Sequence, residues 1–263
     1  MTDILHNIVN KKKERLAQNK LNCTIYDLKE EISNKKYDIR NFQNALINKI
    51  NLKQPAIIAE IKQASPSKGI LTNNFNPIQI AKSYEENGAA CLSVLTEEHF
   101  FKGSKKFLTE SKLACKIPVL RKDFIIDEYQ IFEAKAIGAD CILLIVSILD
   151  RYQLLDFENI ATELDMNILV EVHNQKELDL AFQMKTNLIG INNRNLRSFS
   201  TDLNITLNLL KYIPNEKIII TESGISTKED ISLMMKNNVN AFLIGEFFMK
   251  HENPGNALKS LIR

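Results

Sequence analysis

Two short segments of this chain put polar side chains two positions apart just where an apolar run ends. AEIKQASPSKG carries Glu60 and Lys62, and INNRN carries Asn192 and Arg194. Side chains alternate along a strand, so positions i and i+2 face the same side and each pair can enter one space. Lys122 in LRKDF and Glu171 in LVEV stand at the ends of two further apolar runs. Two ammonium groups and two carboxylates confined together tune one another's proton affinity, which suits general acid–base chemistry. Any one of these residues taken alone is equally well read as half of a rim ion pair. The whole set is better explained as a reaction centre.

A second constellation favours an anion. SPSKG, SGIS and LIGE bring backbone N–H groups and small residues to the ends of apolar runs, which makes Ser65, Ser223, Gly224 and Gly245 candidates to hold a phosphate. The competing reading of the two glycines is that they only permit tight turns.

The elements that must position these groups are legible from Pro55 onward. Eight short apolar runs occur: AIIAEI (56–61), ACLSVL (90–95), IPVL (117–120), DCILLIV (140–146), NILVEV (167–172), NLIGI (187–191), KIIIT (217–221) and AFLIG (241–245). Their continuous apolarity fits strands buried on both faces, as in a parallel sheet. Amphipathic stretches such as IFEAKAIG and KELDLAFQM separate them, and NGAACLSV and IGADCILL read as helices closed by glycine and followed at once by a strand. Eight such units imply an α/β fold of the closed (β/α)8, TIM-barrel type. In that fold the active site forms at the C-terminal mouth, from the loops that follow the strands. The charged motifs lie in those loops. Before the barrel, residues 1–50 read as three helices, with Ile4, Leu5, Ile8, Val9 and Leu16 at helical spacing. No linker divides the chain, so 1–263 is expected to be one domain with 1–50 as a helical extension.

Bulk properties exclude several classes. A formal net charge of +2 gives no electrostatic footprint for nucleic acid or an anionic membrane. The KKKER run (11–15) reads as a solvated helix face. No apolar run approaches the roughly 20 residues that span a bilayer, and the N-terminus has the wrong charge order for a secretory signal. The four cysteines (Cys23, Cys91, Cys115, Cys141) are scattered, as expected for reduced thiols in the cytoplasm, and the four histidines form no ligand pair. No metal and no other cofactor is expected, and a monomer is the default.

Taken together, AEIKQASPSKG, SVLTEEHFFKGS, PVLRKDFIIDEYQIFEAKAIGAD, LVEVHN, IGINNRNLRSF, ESGIS and LIGEFFM resemble, in order, the motifs of the indole-3-glycerol phosphate synthase family of tryptophan biosynthesis. The resemblance implies a (β/α)8 barrel with extra N-terminal helices over its mouth. It implies closure of an indole ring on 1-(2-carboxyphenylamino)-1-deoxyribulose 5-phosphate, with loss of CO2 and water. By motif, Lys122 resembles the general acid, Glu171 the general base, and Lys62 the partner of the substrate carboxylate and a second acid. Glu60 and Asn192 would position these groups, Arg194 would help hold the charged ensemble, and Glu222 would line the same pocket. Ser65, Ser223, Gly224, Gly245 and the backbone of Glu246 would bind the phosphate. Glu246 stands where some relatives have Ser or Thr, so only its N–H is expected to serve. Two rivals are a phosphoribosylanthranilate isomerase-like barrel, which needs a Cys and Asp pair at strand ends, and a non-catalytic phosphate-binding barrel. Room for a single helix after the eighth run argues against a second, fused barrel.

Overall fold

A computed structural model describes residues 4–195 and 198–263. The eight strands are β1 (Ala56–Ile61), β2 (Cys91–Leu95), β3 (Val119–Lys122), β4 (Cys141–Ile145), β5 (Asn167–Val172), β6 (Leu188–Asn192), β7 (Ile218–Glu222) and β8 (Ala241–Ile244). All pair in parallel, in chain order, and β1 pairs with β8 to close the barrel. Each expected run became one strand, but the third starts two residues late. Pro118 has no N–H to give to the ladder; its carbonyl accepts from Leu92 N instead. The strand therefore ends on Lys122, not before it.

Period-two alternation divides the apolar residues into two cores. Ile58, Cys91, Leu120, Cys141, Leu169 and Ile220 point into the barrel. Their chain neighbours, such as Ile57, Leu92, Val119, Ile142, Val170 and Ile219, face the surrounding helices. Every strand side is thus buried, as a parallel barrel requires. The inward row carries its own continuation: two steps above Ile58, Leu120, Leu169 and Ile220 come Glu60, Lys122, Glu171 and Glu222. Barrel floor and polar mouth are successive rungs of one pattern.

The N-terminal extension forms α1 (Ile4–Asn22), α2 (Ile25–Asn34) and α3 (Phe42–Asn51). It covers more than the mouth. Ile4, Leu5 and Ile8 of α1 lie over the mouth and line its cavity. The flank is covered next: Leu16 and Leu28 pack on Tyr129, Phe132 and Ala136 of α4 (Tyr129–Ala136), the helix that follows β3. α3 closes the opposite end, where Phe42 and Leu46, both fully buried, join the barrel interior. Asn167 at the start of β5 accepts from Phe42 N and Gln43 N, and Asp140 before β4 accepts from Arg40 N.

KKKER is only partly a solvated face. Lys11, Lys13 and Arg15 are exposed, but Lys12 is not. It follows Ile8 by four residues and precedes Leu16 by four, so it falls on the buried stripe. Its Nζ lies 2.6 Å from Oδ1 of buried Asp123. Asp123 also accepts from Thr96 Oγ1 (2.6 Å) and Arg121 Nη2 (3.2 Å), and Arg121 continues to Glu133 (2.7 Å). Arg15 pairs with Glu98, and Lys20 with Asp127 at 2.8 Å. The first helix is therefore latched to the loops after β2 and β3. Among the described residues no helix is long and apolar enough to cross a membrane.

Burial would raise the Asp123 carboxyl, but Lys12, Arg121 and Thr96 overcome it and hold the group at about 2. Its contribution to stability is thus complete above 3.8 and fades as pH falls toward 2. Lys12→Met is expected to cost about 1–3 kcal/mol, because a buried carboxylate loses one charged hydrogen-bond partner and keeps Arg121 and Thr96. Urea unfolding checks this: the deficit should be full at neutral pH and shrink on acidification, and limited proteolysis should cut within α1 first.

Candidate functional site

All twelve residues singled out from the sequence line one cavity of about 360 Å³ at the C-terminal mouth: Glu60, Lys62, Ser65, Lys122, Glu171, Asn192, Arg194, Glu222, Ser223, Gly224, Gly245 and Glu246. That volume suits a drug-sized ligand. Lys122, at the end of β3, is the hub. Its Nζ lies 3.0 Å from Glu222 Oε2 and 3.3 Å from Glu171 Oε2. Asn192 Nδ2 donates to Glu171 Oε1 at 3.1 Å. Lys62 Nζ, just beyond β1, donates to Glu60 Oε1. Asn192 Oδ1 in turn accepts from Ser223 Oγ at 3.0 Å and from Arg194 N.

The proton affinities follow from this packing. Burial by itself would lower the Lys122 ammonium, but Glu222, Glu171 and Glu60 outweigh it and hold the group far above the ordinary lysine range. For Glu171, burial is outweighed by Lys122, His173 and the Asn192 hydrogen bond, so it stays below the usual carboxylate value. Glu60 is kept low against burial by Lys62 and Lys122. Glu222 goes the other way. Burial, with Glu171 and Glu60 nearby, pushes it up to about 7 despite Lys122. Three carboxylates share two ammonium groups here, and Glu222 is the member that takes a proton when the charge must balance. Its Oε1 is buried without a hydrogen-bond partner.

Two glycines make this crowding possible. A Cβ on Gly190, which faces inward on β6, would collide with Glu222 Oε1. A Cβ on Gly245 would collide with Glu60. Gly245 has an ordinary negative φ (−132°), so close approach, not turn freedom, is what demands glycine there. Gly224 is different: its φ of +89° is the left-handed region, and Ser223 before it has +65°.

Arg194 sits apart from the lysines. Its guanidinium donates to Phe199 O (3.1 Å) and pairs with Glu246 (2.9 Å), which also binds Lys250 at 2.7 Å. It belongs to the wall with Ser223, Gly224 and Gly245, and its backbone N–H donates to Asn192 Oδ1. The Glu246 carboxylate is occupied by two cations, Arg194 and Lys250. Leu196 and Arg197 of the NNRNLRSF motif lie outside the described residues.

Several participants were not foreseen. Phe101, Phe124 and Ile8 supply an apolar wall; the aromatic residues in EEHFF and KDF, each just past a strand, were the available signal. Gly190 was signalled by a glycine at an inward strand position. His173 lies 3.4 Å from Glu171 through Nε2. Cys91 and Cys141 are fully buried, and burial pushes both thiols well above their usual range, so neither offers a strand-end nucleophile. Among the described residues no group of three or more His, Cys, Asp or Glu is arranged to hold a metal ion.

The family model "Indole-3-glycerol phosphate synthase" matches residues 5–261. The chain belongs to the indole-3-glycerol phosphate synthase family. Relatives of that name include proteins of Bordetella pertussis (51% identical, 100% of both chains covered), Burkholderia multivorans (50%, 98% of both) and Polynucleobacter asymbioticus (49%, 99% of both). Among solved structures, KGPDC from Streptococcus mutans superposes with a TM-score of 0.61 at 13% identity, covering 79% of this chain and 95% of its own. The tryptophan synthase alpha subunit of Legionella pneumophila gives 0.63 at 11%, covering 85% and 97%. These two likenesses are of fold.

A carboxylate raised by burial destabilises the fold progressively as pH climbs from its ordinary value toward its raised one. Glu222→Gln removes that burden. Relative to wild type, the variant is expected to gain stability between pH 4.5 and about 7 and hold the gain above it. Parallel thermal melts at pH 5 and pH 8 check the sign; a constant difference would contradict the titration assigned to Glu222.

Proposed function

We propose that the buried acid–base cluster carries out the family's ring closure, with the labour divided among the residues named above. The chain is an indole-3-glycerol phosphate synthase, a carbon–carbon lyase that converts 1-(2-carboxyphenylamino)-1-deoxyribulose 5-phosphate to indole-3-glycerol phosphate, CO2 and water. Joining an aromatic carbon to a ketone needs an acid at the ketone oxygen, and the Lys122 ammonium is that acid. Lys62, held by Glu60, pairs with the substrate carboxylate until it leaves as CO2, then donates to the departing hydroxyl. Glu171 takes the proton released as water is lost, and Asn192 fixes its Oε1. Glu222 supplies a second partner for the Lys122 ammonium, and Glu60 holds Lys62 in place.

Phosphate binds the opposite wall, through Ser65, Ser223, Gly224, Gly245 and the Glu246 N–H, with Arg194 and Lys250 adding positive charge. Ile8, Phe101 and Phe124 hold the aryl ring. Fixing both ends of the substrate brings the reacting carbons together and accounts for a large share of the acceleration. The single observation that carries this reading is Lys122 Nζ between two carboxylates, 3.0 and 3.3 Å away, facing a cavity whose far wall fits an anion. No step requires a cofactor. The chain is further proposed to act as a cytoplasmic monomer on a free small molecule.

Incubating purified protein with the carboxyphenylamino substrate should produce indole fluorescence without added metal. Lys122→Ala should lower kcat by about 10²–10⁴, the usual worth of a general acid, while substrate affinity changes little. Near-normal turnover in that variant would remove the acid assignment.

A further inference from the structure

The acid and the base of this site share one ion pair. Glu171 Oε2 faces Lys122 Nζ at 3.3 Å. Once Lys122 has protonated the substrate, it is a neutral amine, and Glu171 is left among Glu60 and Glu222 with that cation gone. It must nevertheless stay ionised and aimed, because its own proton transfer comes later. The other oxygen, Oε1, has two neighbours: Asn192 Nδ2, which is neutral, and His173 Nε2 at 3.4 Å.

His173 is built to remain a cation. It lies two residues beyond Glu171 on the same inward parity, just past β5, and does not line the cavity. Its far nitrogen, Nδ1, is 3.0 Å from Glu177 Oε2, which also accepts from His173 N at 2.8 Å. Glu177 is fixed in turn by the start of α5 (Gln175–Ala181). Asn174 is the N-cap and accepts from Glu177 N, while its Nδ2 donates to Glu177 Oε1 at 2.7 Å. The sequence HNQKE thus spends a helix-start motif on gripping an imidazole. The charged groups facing the ring are Glu171 on β5, Glu177 on α5 and Glu222 on β7; they outweigh burial and favour its charged form.

We propose that His173 is a positioning residue for the base: clamped by Glu177, its imidazolium stays on Glu171 Oε1 as the remaining cationic partner while Lys122 is discharged. The arrangement is carboxylate–imidazole–carboxylate, with the outer carboxylate anchored to the backbone and the inner one reactive. Nε2 is buried without an aligned acceptor, so a small rotation of the Glu171 carboxylate toward it accompanies the loss of charge on Lys122. The proposal rests on the assignment of Glu171 as the base.

The test compares kcat and KM against pH for wild type, His173→Ala, His173→Gln and Glu171→Gln. His173→Ala should lower kcat about tenfold, less than the roughly 10²–10⁴ of a group that transfers the proton itself, with KM within about twofold. The acid limb of its kcat profile, set by protonation of Glu171, should move up by about one pH unit because a nearby cation is gone. His173→Gln, which keeps a donor but no charge, should recover kcat above neutral pH and retain the shifted limb. Glu177→Gln should shift the limb in the same direction by less. An unshifted acid limb in folded His173→Ala, or a loss of melting temperature with an unchanged kcat profile, would overturn the proposal. Near-normal turnover in Glu171→Gln would instead overturn the base assignment beneath it, and the two failures are distinguishable.

Discussion

Five ionisable side chains sit inside the mouth of the barrel, and the physics of burying them governs what surrounds them. A charge removed from water is tolerated only if an opposite charge and hydrogen bonds replace the solvent. Glu60, Glu171 and Glu222 share Lys62 and Lys122, so the ensemble is one proton short of neutral, and Glu222 at about 7 is where that proton goes. Such balance holds only while the partners stay within hydrogen-bond reach. That explains why two inward positions beside the cluster are glycines: any side chain at Gly190 or Gly245 would displace a carboxylate.

The same strand that delivers Lys122 inward delivers Arg121 outward. Arg121 is buried against Thr96, Asp123 and Glu133, and Asp123 takes Lys12 from the first helix. Consecutive residues thus connect the covering helix to the acid of the site, with Asp123 at the cavity edge. Ile8, one turn before Lys12, is where that helix reaches the pocket. Covering the mouth excludes water, which strengthens every electrostatic interaction beneath it.

Much of this was legible before any coordinates. Eight apolar runs with polar ends predict a barrel with its chemistry at one mouth, and each run became a strand. Period-two parity correctly paired Glu60 with Lys62 on the same side. Parity says nothing of which partners the Arg194 guanidinium meets, because a long side chain past a strand end follows the groups around it, here Glu246 and the Phe199 carbonyl. Lys12 was missed. A triplet of lysines looks solvated unless the helical stripe through Ile8 and Leu16 is followed across it. The extension was expected over the mouth, but its third helix seals the other end, where Asp140 and Asn167 present acceptors.

The amino-acid order alone determined the strand count, the inward rows and the chemical types available at the mouth, since alternation and helical spacing are local properties of the chain. Which carboxylate stays charged and which takes a proton was decided only by tertiary structure. Glu60, Glu171 and Glu222 are the same residue type, each on an inward row. Their differences arise from distances to Lys62, Lys122, Asn192 and His173, across segments separated by up to about a hundred residues.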